Sequence, residues 1–417
     1  MNFTLIKQKL LNNKLLLSNY VYVSLLNAFS LVIPLITYPY LIGKLEEELY
    51  GRIVFSFTII CYLEMIACWG YDISAVKDIA QFQNDKHRIN EIVSTVTYTR
   101  LSLCILLILV LFLLLQIINF NDNKLYLYFC IYLLSAVAFP GWYFQGIQQL
   151  KYITFFQLIC KVSFLLFIVI FIKGKEDYLY YPILYGCSNL IACLFGYYII
   201  LHKYSVSFVR TSQRMIAYRF KRSTSIFLSR VADMIIVRCN AIILGSFVGM
   251  KEVAYYDLAN KVIHLGAYPI MILNQVIYPK IASEKNYLLM KRVIRYSILV
   301  SGFITFCILL SADFIVDLLG KGLMEPSIPL IYFLSPLIII NSVIYLQGSP
   351  TLVAAGYYSE FNYSMWISFI VYFLGLLIIF CFGFIASIYS VIILQIATNM
   401  ALLLARGYYI KKLKLFQ

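Results

Sequence analysis

Residues 101–118 read LSLCILLILVLFLLLQII, eighteen consecutive positions without a charge. A helix rises 1.5 Å per residue, so about 20 apolar residues cross a hydrocarbon core of about 30 Å. A transmembrane strand would show a segment of about 10 residues with alternating polarity, which this run does not. The run therefore predicts a membrane-spanning helix. Similar runs recur along the chain, which is 62% hydrophobic and 13% charged with a mean hydropathy of +0.85. A soluble domain carries about 25% charged residues. The ten cysteines are scattered singly, with no CxxC and no Cys/His cluster, so neither a disulfide framework nor a metal site is indicated. The opening MNFTLIKQKLLNNKLLLSNY is basic, then apolar, with no small-residue cleavage pattern after it. It reads as the start of an uncleaved first helix.

Extending this reading outward gives an all-α polytopic membrane protein with twelve spans. The first six are expected at 19–42, 53–70, 92–117, 125–145, 152–172 and 179–201. The second six are expected at 224–247, 253–277, 296–312, 328–346, 362–382 and 384–405. With both termini placed in the cytoplasm, 22 of the 34 basic residues fall on cytoplasmic segments and seven on outside loops. That asymmetry follows the positive-inside rule and sets the orientation. The net charge of +15 then reflects basic loops against an anionic leaflet, and calls for no nucleic acid. The segment after 349 carries no Lys or Arg up to 361, which makes the tenth and eleventh spans the least marked.

The chain also repeats. At an offset of 202, Ile42-Gly43 matches Leu244-Gly245, Ile79-Ala80 matches Ile281-Ala282, and Gln145-Gly146 matches Gln347-Gly348. Each pair sits at an equivalent place in the span order. The expected organisation is an N-terminal six-helix lobe over 1–202, a basic cytoplasmic linker over 203–222, and a C-terminal six-helix lobe over 223–417. An even number of helices per lobe predicts lobes related by an axis along the membrane normal. Pro34, Pro39, Pro140 and Pro336 are expected to kink the spans that hold them.

Five cations remain inside the spans: Arg100, Lys161, Arg230, Arg238 and Lys261. A charge at the bilayer centre costs about 2.5–3.5 kcal/mol on insertion scales, so such residues face a partner or a water-filled cavity. Arg230 has Asp233 one turn away, and Lys261 has Asp257. Arg100, Lys161 and Arg238 have no acid at that spacing. Arg230, Asp233 and Arg238 cover an arc of roughly 140° on one helix. The five are read as a cationic, anion-binding cavity, with simple ion pairing or snorkelling as the alternatives. Glu64, the isolated acid deep in the first half, reads either as a cross-helix partner of Arg100 or Lys161, or as a site for a coupling H+ or Na+. His264 shares a stripe with Asp257 and Lys261 and reads as a hydrogen-bonding or proton-coupling group.

Several motifs resemble one family. They are L-I-G-x(6)-Y-G at 41–51, V-K-D-I-A at 76–80 and W-Y-F-Q-G at 142–146. In the second half they are L-G at 244–245, V-A-Y-Y-D-L-A-N-K at 253–261 and Y-P-K-I-A at 278–282. The chain is similar here to the Wzx-type O-antigen and capsule-repeat flippases, polysaccharide transporters of the multidrug/oligosaccharidyl-lipid/polysaccharide (MOP) exporter superfamily. The resemblance covers most of the chain. It implies a MATE/MOP-like fold of two six-helix bundles in the bacterial inner membrane, with no cofactor and no catalytic residue. The implied cargo is an undecaprenyl-diphosphate-linked oligosaccharide, moved from the cytoplasmic to the outer leaflet by alternating access. Membrane lipids, a polysaccharide polymerase and glycosyltransferases are the implied partners. The diphosphate is an anion that internal cations would suit.

Two other functions fit the sequence less well. A drug or cation antiporter of the same superfamily would favour internal acids, whereas the internal charge here is mainly basic. A glycosyltransferase or polymerase needs a large soluble loop. No outside loop exceeds about 15 residues in this reading, and no D-x-D, nucleotide loop or triad appears.

Overall fold

In hydrocarbon, backbone N–H and C=O groups must bond within their own segment, which makes the helix the available solution for long apolar runs. A computed structural model describes residues 3–117, 122–384 and 387–416. It describes their side chains except for residues 3–32, 229, 232, 233, 276, 279, 280 and 282–284. Most of the described residues are helical, and none of them is in a strand. In chain order the helices are α1 (Phe3–Cys68), α2 (Tyr71–Gln81), α3 (Lys86–Ile117), α4 (Asn123–Ala138), α5 (Gly141–Gly146), α6 (Leu150–Phe171) and α7 (Tyr180–His202). They continue as α8 (Gln213–Phe247), α9 (Met250–Glu284), α10 (Tyr287–Leu310), α11 (Ala312–Gly320), α12 (Ser327–Leu334), α13 (Pro336–Gln347), α14 (Tyr358–Cys381) and α15 (Ile388–Lys412).

The expected spans fall mainly on helix: the first two on α1, which ends at Cys68, the fourth on α4 and α5, the tenth on α12 and α13, and the described part of the twelfth on α15 from Ile388. Nine stretches among the described residues are long and apolar enough to cross a membrane, and one of them, Ile33–Gln81, holds the end of the first expected span and all of the second. The protein is an all-α, multi-pass membrane protein. Prolines account for two breaks, at Pro140 between α4 and α5 and at Pro336 between α12 and α13. Pro34 and Pro39 do not break α1, which runs through both and departs from helical geometry at Glu46 instead (φ 60°, ψ 173°).

The chain divides into two compact units. The first holds Met1–Leu45 and Ser56–Val231, the second Glu46–Phe55 and Ala232–Gln417. The boundary lies inside α8. Of the expected linker, 203–212 is irregular and 213–222 is the start of that helix.

In the first unit, α3 shows how a membrane inverts the usual pattern. Its first half buries Ser94, Thr95, Thr97, Thr99 and Arg100, while its second half exposes Leu106, Leu109, Leu113 and Ile117. The apolar positions face outward, as they should where the solvent is lipid. Helices α4 and α7 approach closely at Gly186, where an added Cβ would meet the Tyr132 backbone nitrogen at 2.7 Å. An aromatic cluster of Phe57, Phe129, Tyr132, Phe164, Tyr181 and Tyr185 fills the space beside that contact.

In the second unit, segment Glu46–Phe55 docks on α8 and α9. Phe55 packs over Gly245, and Lys251 donates to Glu47 at 2.7 Å. That hydrogen bond holds the Lys251 ammonium above its usual pKa. A buried polar network ties four helices. The Asn240 amide donates to the Tyr256 hydroxyl and accepts from Tyr372, each at 2.7 Å. Tyr256 then donates to Gln395 at 2.7 Å, and Gln395 donates to Asn260 at 3.0 Å.

Arg406 follows directly on the last expected span, where a basic residue is expected at the membrane surface. It is instead a buried residue of α15, 4% exposed, donating to the Ile344 carbonyl at 2.7 Å and lying over Phe361. It packs against Gly348, so it brings a cation to the start of the segment that has none of its own.

Candidate functional site

The charged site of the first unit is built where the chain turns from α1 into α2. Trp69 (φ 45°) and Gly70 (φ 72°) both adopt left-handed geometry. Gly70 tolerates that conformation, and it also lets the α8 backbone approach, since an added Cβ would lie 3.0 Å from the Phe227 nitrogen. The turn projects the Trp69 indole between Phe220 and Phe227 of α8, stacked at 4.3 and 4.1 Å between centroids. Its Nε1–H donates to Thr224 at 3.2 Å, and Ser74 and Ser223 share a hydrogen bond of 2.7 Å. These contacts fix α2 against the N-terminal part of α8.

Two carboxylates lie at this junction, and each serves two arginines. Asp72 accepts from Arg100 at 3.1 Å through Oδ1 and from Arg230 at 3.3 Å through Oδ2. Asp78 is 2.6 Å from Arg219 and 2.9 Å from Arg222. Arg100 and Arg219 are buried, whereas the side chains of Arg230 and Arg222 are 46% and 38% exposed. Four guanidiniums against two carboxylates leave two positive charges. The buried Nε–H groups of Arg100 and Arg219 have no hydrogen-bond partner among the described residues. The arrangement offers guanidinium donors on an exposed rim, backed by positive charge that the acids do not cancel. That combination suits a phosphate-type anion.

The structure revises the sequence assignments residue by residue. Arg100 is not a cation without a partner. It is held by Asp72, 28 positions earlier, and by Cys68 Sγ at 2.9 Å, contacts that helical spacing does not show. Arg230 pairs with Asp72. The Asp233 side chain, its expected partner, lies outside the described residues. Lys161 lines a separate cavity of about 280 Å³ in the same unit, together with Glu64. Of the three cations of the first unit, Arg100 and Arg230 thus share Asp72, while Lys161 lines a cavity that carries a carboxylate as well. Glu64 also accepts from Tyr132 at 3.0 Å.

In the second unit, Lys261 bonds Asp257 one helical turn away, and Tyr50 completes the group. Lys261 donates to the Tyr50 hydroxyl at 2.6 Å, and Tyr50 donates to Asp257 at 2.7 Å. His264 is exposed one turn further along α9. Arg238 is half-buried on α8, two residues before Asn240 of the buried network.

Asp72, Asp78, Arg219 and Arg222 were missed as site residues. A signal did exist. Two acids in the short segment after the second span face a run of basic residues over 203–222, and complementary charge could have paired them.

The fold and the site together define an all-α membrane protein that carries a positive junction and a polar cavity. Comparison with known proteins agrees. Residues 16–285 match the family described as polysaccharide biosynthesis protein, and the chain belongs to that family. It is 24% identical over 360 residues to a protein of Escherichia coli strain K12 named "Putative O-antigen transporter", covering 84% of this chain and 86% of that one. A protein of Shigella dysenteriae with the same name is 22% identical over 265 residues, covering 63% and 66%. Among solved structures, the lipid II flippase MurJ in an inward closed conformation superposes with a TM-score of 0.76 at 12% identity, over 94% of this chain and 88% of that one. An inward-facing multidrug resistance MATE family transporter of the MOP superfamily superposes with a TM-score of 0.66 at 14% identity, over 92% and 99%. The fold is thus that of the MOP superfamily.

Proposed function

We propose that this protein flips undecaprenyl-diphosphate-linked oligosaccharide repeat units from the cytoplasmic to the outer leaflet of the bacterial inner membrane, for O-antigen or capsular polysaccharide assembly. The observation that carries the reading is the sharing of Asp72 between Arg100 and Arg230. Among the described contacts, Arg230 commits one of its five N–H donors to that carboxylate. The remaining donors can take a diphosphate in charge-assisted bonds, and Arg222 extends the same surface. With the termini in the cytoplasm, this junction lies at the cytoplasmic membrane boundary, the level at which a lipid headgroup arrives. Arg238 is a second proposed contact to the cargo. Membrane transporters of this fold occur in both inward-facing and outward-facing conformations, which supports transport by alternating access. Glu64 and His264 remain proposed groups for H+ or Na+ coupling, and the polymerase and glycosyltransferases of the same pathway are proposed partners. A cation antiporter is disfavoured because the junction repels cationic cargo.

The test is complementation of a strain lacking its own repeat-unit flippase. This chain should restore surface glycan and deplete the lipid-linked repeat in the inner leaflet. Accumulation of that intermediate despite normal membrane levels of the protein would overturn the proposal.

A further inference from the structure

The cavity of the first unit has a composition that the diphosphate does not explain. Its walls come from α1 (Glu64), α4 (Tyr132, Phe139), α6 (Gln157, Cys160, Lys161) and α7 (Tyr185, Asn189), with small side chains at Ala136 and Ala192. At about 30 Å³ per water, the 280 Å³ corresponds to about nine waters, room for one sugar ring. The lining supplies one carboxylate and one ammonium, equal and opposite in formal charge, so the walls themselves favour neither sign of ligand. What the walls offer is a mixture of donors and acceptors. Glu64 is oriented by the Tyr132 hydroxyl, and the Asn189 amide is fixed by donating to the Tyr185 carbonyl at 2.9 Å. Gln157 and Lys161 add donors on the α6 side. Phe139 and the aromatic rings of Tyr132 and Tyr185 supply the apolar part. Hydroxyl edges beside C–H faces are the surface chemistry of a pyranose, and this wall composition matches it.

We infer that this cavity is a binding site for one uncharged sugar ring, and that Gln157 and Asn189 determine which ring is accepted. The inference rests on the flippase reading for its biological cargo, but the site can be tested apart from it. Cys160 lines the cavity and is a natural reporter. The full chain in lipid nanodiscs would be treated with a small thiol-alkylating reagent, and modification of Cys160 followed peptide by peptide by mass spectrometry. The probes are methyl glycosides of glucose, galactose, mannose, rhamnose and N-acetylglucosamine, with glucuronate and glucosamine as charged controls. Saturation-transfer NMR with the same glycosides gives a second readout that does not depend on thiol reactivity.

At least one uncharged glycoside should bind by NMR and slow Cys160 alkylation, with the charged controls weaker. Gln157→Ala and Asn189→Ala should each shift half-maximal binding about 2–10-fold, the loss of one neutral hydrogen bond. Lack of binding by every uncharged glycoside in both readouts would overturn the inference, as would binding of the charged controls alone or insensitivity to both substitutions. Glycoside binding without flipping of lipid-linked cargo would leave the site standing and sink the flippase reading. Flipping without glycoside binding would do the reverse.

Discussion

Replacing Arg230 with Ala separates cargo recognition from folding, because the same carboxylate holds a second arginine. In the native junction Arg230 is 3.3 Å from Asp72, and the two side chains are 46% and 34% exposed. An ion pair this exposed contributes about 0–1 kcal/mol, so its loss should leave the fold and membrane level intact. Asp72 keeps its bond to the buried Arg100. Toward a diphosphate, the missing guanidinium removes at least one charge-assisted bond of about 1.5–3 kcal/mol. That corresponds to about 10–150-fold lower occupancy by cargo. Arg230→Lys keeps the charge but loses the planar fork, and should retain part of the activity. Arg100→Ala is the contrasting change. It removes a buried cation and leaves Cys68 and Asp72 without their inner donor, so the cost, about 3–5 kcal/mol, should appear as lost protein. The assay is export of surface glycan in a flippase-null strain, normalised to membrane protein by immunoblot and checked by thermal melting of purified protein. Wild-type export by Arg230→Ala would refute the cargo role. Equal loss of protein in the Arg230 and Arg100 variants would refute the separation of roles.

Asp78→Asn should destabilise the first unit by about 3–5 kcal/mol, since Arg219 and Arg222 would share a site without its charge, and thermal melting in detergent would read the drop. Gly70→Ala should cost about 1–2 kcal/mol from its left-handed geometry, with a further loss where the α8 backbone approaches, read as a lower melting temperature. Arg238→Ala should reduce glycan export at normal membrane level, with Arg238→Lys in between; equal loss in both with falling protein level would mark a structural residue instead.

The fold was legible because its signal is local. Runs such as 101–118 are long, uncharged and continuous, and lipid imposes helix on them without further information. Pro140 and Pro336 likewise act on their own neighbourhood. Pro34 and Pro39 lie inside α1, which continues through both, so a proline alone does not mark the end of a membrane helix. The site was less legible because its partners are distant in sequence. Nothing near Arg100 announces Asp72, and Arg230 finds the same carboxylate across 158 positions. By contrast Lys261 and Asp257 are one helical turn apart, and their pairing was readable. Lys161 carried a third kind of difficulty. Its depth in an apolar helix was plain, but the carboxylate that shares its cavity comes from a different helix, so the sign of the site could not be read from one span.

The most direct test of the account is flipping in a purified system. The protein would be reconstituted into liposomes with a fluorescent oligosaccharide carried on undecaprenyl diphosphate, and transbilayer movement followed by quenching at the outer surface. The same glycan on undecaprenyl monophosphate would serve as the control. The account predicts protein-dependent movement of the diphosphate form, slower movement of the monophosphate form, and a marked loss with Arg230→Ala. Movement of the diphosphate form at the rate of protein-free liposomes would contradict it.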